Sequence, residues 1–315
     1  MSNFLDPAIL FFVFGVFAGT VKSNLNIPEQ ITKFLSLYLL MALGLKGGFA
    51  LAQSGFTIDI AISLFVALLM AFIVPVMGYS YLKNKVSKFD AAAIAAAYGS
   101  VSAVTFVTAM QYIENQGLNV GGYMSVAMVI MESPAIIMAV LLSNALRKNN
   151  SSQISLKKIM HESFTDGAHL LLLGAMVVGF VSGEVGKTMM QPFSGDLFKG
   201  MLAFFLLDMG LMVARNFKEA IKTSPHLLVY ATFGPLIHAS LAFLVSSVFG
   251  LPASDTILIM VLSASASYIV VPAVLRYAVP EANPAIYFGL SLGITFPINI
   301  LMGIPLYTWV VTYVQ

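Results

Sequence analysis

Long apolar windows, separated by charge and by Pro, Gly or Asn, dominate the chain. They predict ten membrane spans at about 7–21, 30–52, 58–82, 90–114, 121–146, 164–184, 195–215, 226–249, 254–278 and 284–313. A strand barrel would show short alternating segments of about ten residues. Runs such as Ile60–Val74 and Leu227–Phe249 are continuous instead, so the spans read as α-helices and the fold class as an all-α integral membrane protein. Met1 to Asp6 carry no Lys or Arg ahead of the first window, which predicts a retained helix rather than a cleaved signal.

Charge sharpens the picture. Apolar residues make up 59% of the 315 positions and charged ones 10%, too few to coat a water-facing surface of this size. With ten spans both termini lie on one side. Lys22, Lys33, Lys83, Lys85, Lys88, Arg147, Lys148, Lys157, Lys158, Arg215, Lys218, Lys222 and Arg276, 13 of the 16 basic residues, then fall on the opposite face. The positive-inside rule makes that face cytoplasmic, with the N- and C-termini outside. The exceptions are Lys187 and Lys199 in the outer loop and Lys46 inside the second span. Cysteine is absent, which excludes disulfides, thiolate metal sites and Cys nucleophiles. No enzyme or zinc motif stands in the chain: His161-Glu162 lacks a second His, so neither catalysis nor a metal site beyond Na⁺ is expected.

The chain also repeats itself. Gly15-Val-Phe-Ala-Gly19 returns as Gly179-Phe-Val-Ser-Gly183, and Pro28 as Pro192, at a spacing of 164. Leu40, Gly44 and Leu45 return as Leu206, Gly210 and Leu211 at 166; Asp90, Ser100, Ser102 and Tyr112 as Asp255, Ser265, Ser267 and Tyr277 at 165; Pro134 as Pro297 at 163. The third and eighth spans give no match. Residues 1–146 and 164–315 thus form two five-span repeats joined by a cytoplasmic linker, 147–163. An odd number of spans inverts the second copy, the design of secondary transporters that work by alternating access.

Candidate chemistry lies where a span resists both lipid and helix. The fourth span holds Tyr98-Gly-Ser-Val-Ser-Ala-Val-Thr105 and the ninth Ser263-Ala-Ser-Ala-Ser-Tyr-Ile-Val-Val-Pro272. Breaks there would aim half-helix N-termini at one spot suited to a small anion. Gly99, Ser100, Ser102, Thr105, Ser265, Ser267 and Tyr268 are the candidate substrate residues. Glu132, near the middle of the fifth span and two residues before Pro134, is the candidate coupling carboxylate, for Na⁺ or for H⁺. Ser263, Thr295 and Asn299 are its candidate companions. Lys46, Asp208 and His238 are the other intramembrane polar residues; Asp208 is placed to pair with Lys46 or His238. Asp90 and Asp255 open the broken spans, where capping alone would account for them.

These residues resemble a known family. Gly99-Ser-Val-Ser-Ala-Val-Thr105, Met131-Glu-Ser-Pro-Ala135, Pro280-Glu-Ala-Asn-Pro-Ala-Ile-Tyr287 and Ile304-Pro-Leu-Tyr307 are similar to the sodium-dependent bicarbonate transporter family of cyanobacteria. The resemblance implies a gate subdomain (spans 1, 2, 6, 7), a core subdomain (spans 3–5, 8–10) and a homotrimer. It implies Na⁺-coupled bicarbonate symport across the inner membrane, restrained by a PII-like cytoplasmic partner, although the linker between the repeats is much shorter here. Glu132 stands where the family has Asp before a Pro. Ser267-Tyr-Ile-Val-Val-Pro-Ala273 replaces Ser-Asp-Ile-Ser-Gly-Pro-Pro, losing a carboxylate and a hydroxyl. The alternatives are an H⁺-coupled or exchange carrier of a small organic anion, and a channel or sensor on the same fold.

Overall fold

The computed structural model describes residues 6–147, His161, Thr165 and 167–314, and no strand occurs among them. The expected linker lies outside the described residues apart from Arg147 and His161. Twelve helices carry the described chain: α1 Pro7–Thr20, α2 Glu29–Ser54, α3 Ile58–Leu82, α4 Lys88–Gly99, α5 Ala103–Asn115, α6 Met124–Leu146, α7 Gly167–Met190, α8 Phe198–Ala220, α9 Pro225–Val248, α10 Ala253–Ala264, α11 Val270–Ala278 and α12 Pro284–Val314.

Among the described residues seven helical stretches are long and apolar enough to cross a membrane; α1 and α10 are shorter apolar helices. One stretch, Gly167–Phe217, has 51 residues. At about 1.5 Å per residue it is more than twice as long as a hydrocarbon core of about 30 Å is thick. It turns back through non-helical Gly183 (φ 54°, ψ −141°) and a wide π-type turn at Gln191–Asp196. Its arms then pack on different partners, α7 on α2 and α8 on α1. Phe17, Val181, Val185 and Val248 are exposed, as suits side chains that face lipid. The protein is a multi-pass membrane protein.

Glycine brings these paired helices into backbone contact. A Cβ on Gly15 would lie 2.2 Å from the Leu207 carbonyl oxygen, and one on Gly210 2.2 Å from that of Phe12. Across the other pair, a Cβ on Gly179 would lie 2.6 Å from the Leu45 oxygen, and one on Gly44 2.3 Å from that of Leu172. Only small residues permit such packing between apolar helices. The four helices α1, α2, α7 and α8 form one body; α3, α4 and α6 pack together beside it, with α9 on α10 and α12 across both.

The breaks are the main departure from continuous helix. The α4–α5 window is 94% buried against 39% for α9, so the interrupted segment is wrapped by protein on nearly all sides. That satisfies the condition for non-helical backbone at membrane depth. At the rim, Arg147 ties the end of α6 to the turn before α12, donating to Glu281 Oε2 at 2.8 Å and to the Ala278 carbonyl at 3.2 Å. The guanidinium holds the Glu281 carboxyl below its ordinary range.

Two expectations are corrected. Asp208 pairs with neither Lys46 nor His238; it accepts from Thr32 on α2, because one side of α8 faces α2. Lys46 pairs instead with Glu114 at 3.6 Å and sits over the Phe198 ring. Asp255, in the first turn of α10, makes no side-chain cap hydrogen bond; fully buried, it accepts from Ser63 Oγ at 2.6 Å and Tyr123 Oη at 2.5 Å. Two hydroxyls from α3 and the start of α6 replace the water that a helix-end carboxylate normally keeps.

Candidate functional site

Both breaks begin the same way. Helices α4 and α10 each have 12 residues, with ends separated by the repeat spacing of 165. Each stops at a serine in extended conformation, Ser100 (φ −90°, ψ −174°) and Ser265 (φ −81°, ψ 168°). Gly99 ends α4 against α3, where a Cβ would lie 2.5 Å from Pro75. Ser102 restarts the first chain as the N-cap of α5: its Oγ accepts from Thr105 N at 3.2 Å and from Thr105 Oγ1 at 2.9 Å. Ser267 restarts the second by accepting from Val271 N at 3.2 Å.

The breaks cross and hydrogen-bond to each other. Ser102 N donates to Ser265 Oγ at 3.0 Å, and Ser267 N donates to the Ala97 carbonyl at 2.7 Å. Each interrupted chain therefore supplies partners that the other lacks. First-turn N–H groups of α5 and α11 remain without intrahelical acceptors, and the dipoles add partial positive charge beside them.

A cavity of about 50 Å³ lies at this crossing. Drug-sized pockets run to about 300–1,000 Å³, so this one suits a small ion. Its walls include Val101, Ser102 and Ala103 at the start of α5, Ser267, Tyr268 and Ile269 before α11, and Glu132 on α6. The opposite wall belongs to α2 and α7 and holds Ser36 and His169. His169 Nε2 is in hydrogen-bond contact with Glu132 Oε2, and both side chains are buried. With Glu132 ionised the carboxylate accepts and the ring N–H donates.

Of the candidate residues, Ser102, Ser267, Tyr268 and Glu132 meet at the cavity. Thr105 and Ser265 stand one bond behind them. Gly99, Ser100, Ser263, Thr295 and Asn299 do not line it. The Ser100 and Ser263 hydroxyls are buried without a hydrogen-bond partner among the described residues, beside the ends of α4 and α10. Thr295 donates its one hydroxyl hydrogen to the Ala231 carbonyl and accepts from Tyr98 Oη at 2.7 Å. Asn299 Nδ2 donates at 2.7 Å to Ala264 O, a carbonyl that the second break would leave orphaned. His238 donates to the Ser263 backbone and stacks edge-on to Tyr230, which is a packing role.

His169 and Ser36 are the polar residues that sequence reasoning missed. A signal existed for His169, a His at the head of an apolar span, but its partner stands 37 residues away on another helix. Among the described residues no three His, Asp or Glu side chains converge as around a transition metal.

Residues 7–312 match the family described as the Na⁺-dependent bicarbonate transporter superfamily, nearly the whole chain. No curated protein matches.

Proposed function

The chain belongs to the Na⁺-dependent bicarbonate transporter superfamily, and from that premise we propose that it carries bicarbonate, or a similar small monoanion, by Na⁺-coupled symport with alternating access. The observation that carries this reading is the crossing of two broken helices at a small buried cavity, with a carboxylate on one wall. Helix N-termini and hydroxyls suit an anion without bringing fixed charge, and freed carbonyls beside a carboxylate suit Na⁺.

The architecture behind it is a ten-span 5+5 inverted repeat, in which α4–α5 and α10–α11 are each one broken span. Reciprocal packing supports it: Gly15 and Gly179, equivalent in the two copies, both press on carbonyls of the other half. Helices α1, α2, α7 and α8 form the gate, and the rest form the core that carries the site. Ser102, Ser267 and Tyr268 contact the anion; Gly99, Ser100, Thr105 and Ser265 stand behind them and shape the backbone of the breaks. Glu132 and Ser263 serve the cation, while Thr295 and Asn299 hold the breaks in register from behind. The protein works as a homotrimer in the inner membrane, with both termini outside.

Uptake of radiolabelled bicarbonate into proteoliposomes tests this reading. Accumulation that requires an inward Na⁺ gradient supports it. The contact between Glu132 and His169 favours a second reading, an H⁺-coupled carrier of a small organic anion. Uptake that ignores Na⁺ and follows a pH gradient would select that one, and no accumulation under any gradient would select a channel or sensor.

A further inference from the structure

Glu132 and His169 belong to different bodies. Glu132 is on α6, packed against α3 and α4, whereas His169 is on α7, packed against α2. Their hydrogen bond crosses the boundary between core and gate and lies on the wall of the cavity. Leu172, one turn beyond His169, touches the backbone at Gly44 in the middle of α2, so His169 stands level with the interior of α2 rather than with either of its ends.

This arrangement poses an electrostatic problem for an anion. A bare carboxylate facing the same 50 Å³ space would repel it at short range and low dielectric. The ring N–H of His169, the strongest donor that the gate wall could offer an anion, is meanwhile engaged by that carboxylate. The two obstacles have one remedy, because a cation on Glu132 would neutralise the carboxylate and release the donor together.

We infer that His169 is a substrate-binding residue and that Na⁺ recruits it: Na⁺ replaces His169 on Glu132, and the freed Nε2–H turns to the anion. This rests on the symport reading given above and adds the means of coupling. Neither side chain changes its proton, since the neutral ring donates first to the carboxylate and then to the substrate. Without Na⁺ the anion meets a repelling carboxylate and a gate wall lacking its donor. With both ions bound, the hydroxyls of the core and the imidazole of the gate hold one substrate between them, which favours closure around it. Free energy lost with the buried pair is recovered only when both replacements are present, so each ion raises the affinity for the other.

The test is thermal stabilisation of the purified protein, titrated with potassium bicarbonate in the presence of Na⁺ or of K⁺ at constant ionic strength. In the natural protein Na⁺ is expected to lower the half-saturating bicarbonate concentration by about tenfold, within the usual range of linked sites. In His169→Ala Na⁺ still neutralises Glu132, so part of the linkage remains, but at saturating Na⁺ the half-saturating bicarbonate concentration should rise by about tenfold because the gate donor is gone, while Na⁺ alone stabilises more strongly because Glu132 no longer has a competing partner. His169→Gln keeps an N–H donor and the fold, and should show a smaller rise; it carries the test if the alanine variant loses its cooperative transition. A His169 variant with the natural bicarbonate affinity at saturating Na⁺ and the natural Na⁺ response would overturn this inference and leave the symport reading standing. No Na⁺–bicarbonate linkage in the natural protein would overturn both.

Discussion

The two broken helices start as copies and end as different devices. Helices α4 and α10 share length, register and the extended serine that stops them. Beyond the stop, α5 restarts at Ala103 and runs 13 residues, whereas α11 restarts at Val270 and runs 9. The first break is closed by a serine that accepts two hydrogen bonds; the second leaves Tyr268 and Ile269 in the gap, with the Tyr268 ring edge-on to Phe296. Their flanking helices diverge further. On α6 the polar residue is Glu132, whose partner is across the cavity on α7; in the matching place on α12 it is Thr295, whose partners are Tyr98 on α4 and the Ala231 carbonyl on α9. One half supplies the charge and the other the brace. A shared backbone scaffold therefore does not demand shared chemistry, and the side that faces α7 holds the ionisable group.

The sharpest way to break this comparison is to exchange the flanking residues' chemistry. Glu132→Gln should lower Na⁺-driven bicarbonate uptake by more than about tenfold while the protein still folds; uptake with natural Na⁺ dependence would remove Glu132 from the site. Thr295→Val should do the reverse. It leaves the Tyr98 hydroxyl buried without its partner, which costs about 1–3 kcal/mol, visible as a lower Tm, with the Na⁺ dependence of uptake intact. A variant as stable as the parent would show that Thr295 is not a brace.

Smaller effects separate the two caps. Ser102→Ala removes an N-cap at a cost of about 1 kcal/mol and leaves the Thr105 hydroxyl without its acceptor, so it should lower Tm more than Ser267→Ala. Equal shifts would mean that the two restarts are equivalent after all. Smallest of all is Lys46→Met. Its ion pair with Glu114 is partly exposed, at 28% and 36% of the two side chains, so its removal should move stability by less than about 1 kcal/mol. A larger loss would show that the C-terminal end of α5 is anchored to α2 through this pair.

The breaks were legible in the sequence because their causes are local. Gly99 and the two serine clusters weaken a helix at mid-span, and the spacing of 165 tied the clusters together; Pro272 stands past the break, in the first turn of α11, where a proline is tolerated. Glu132 was legible because a carboxylate between apolar turns is conspicuous. Its partner was not, since the contact with His169 depends on how α6 and α7 pack rather than on any spacing along the chain. Asp255 misled for the same reason. Its position predicted a cap, and only the approach of Ser63 and Tyr123 from other helices turned it into a buried hydrogen-bonded carboxylate. Thr295 and Asn299 were found as polar residues facing the breaks, but whether a buried hydroxyl or amide meets an ion or a carbonyl is decided by angstroms.

The most direct test of the whole account measures radiolabelled bicarbonate accumulation in proteoliposomes under an inward Na⁺ gradient, beside a matched K⁺ gradient and a pH gradient. The account predicts concentrative uptake with Na⁺ alone, abolished in the Ser102→Ala, Ser267→Ala double variant that strips both hydroxyls from the cavity. Uptake driven by the pH gradient without Na⁺, or unchanged in that double variant, would contradict it.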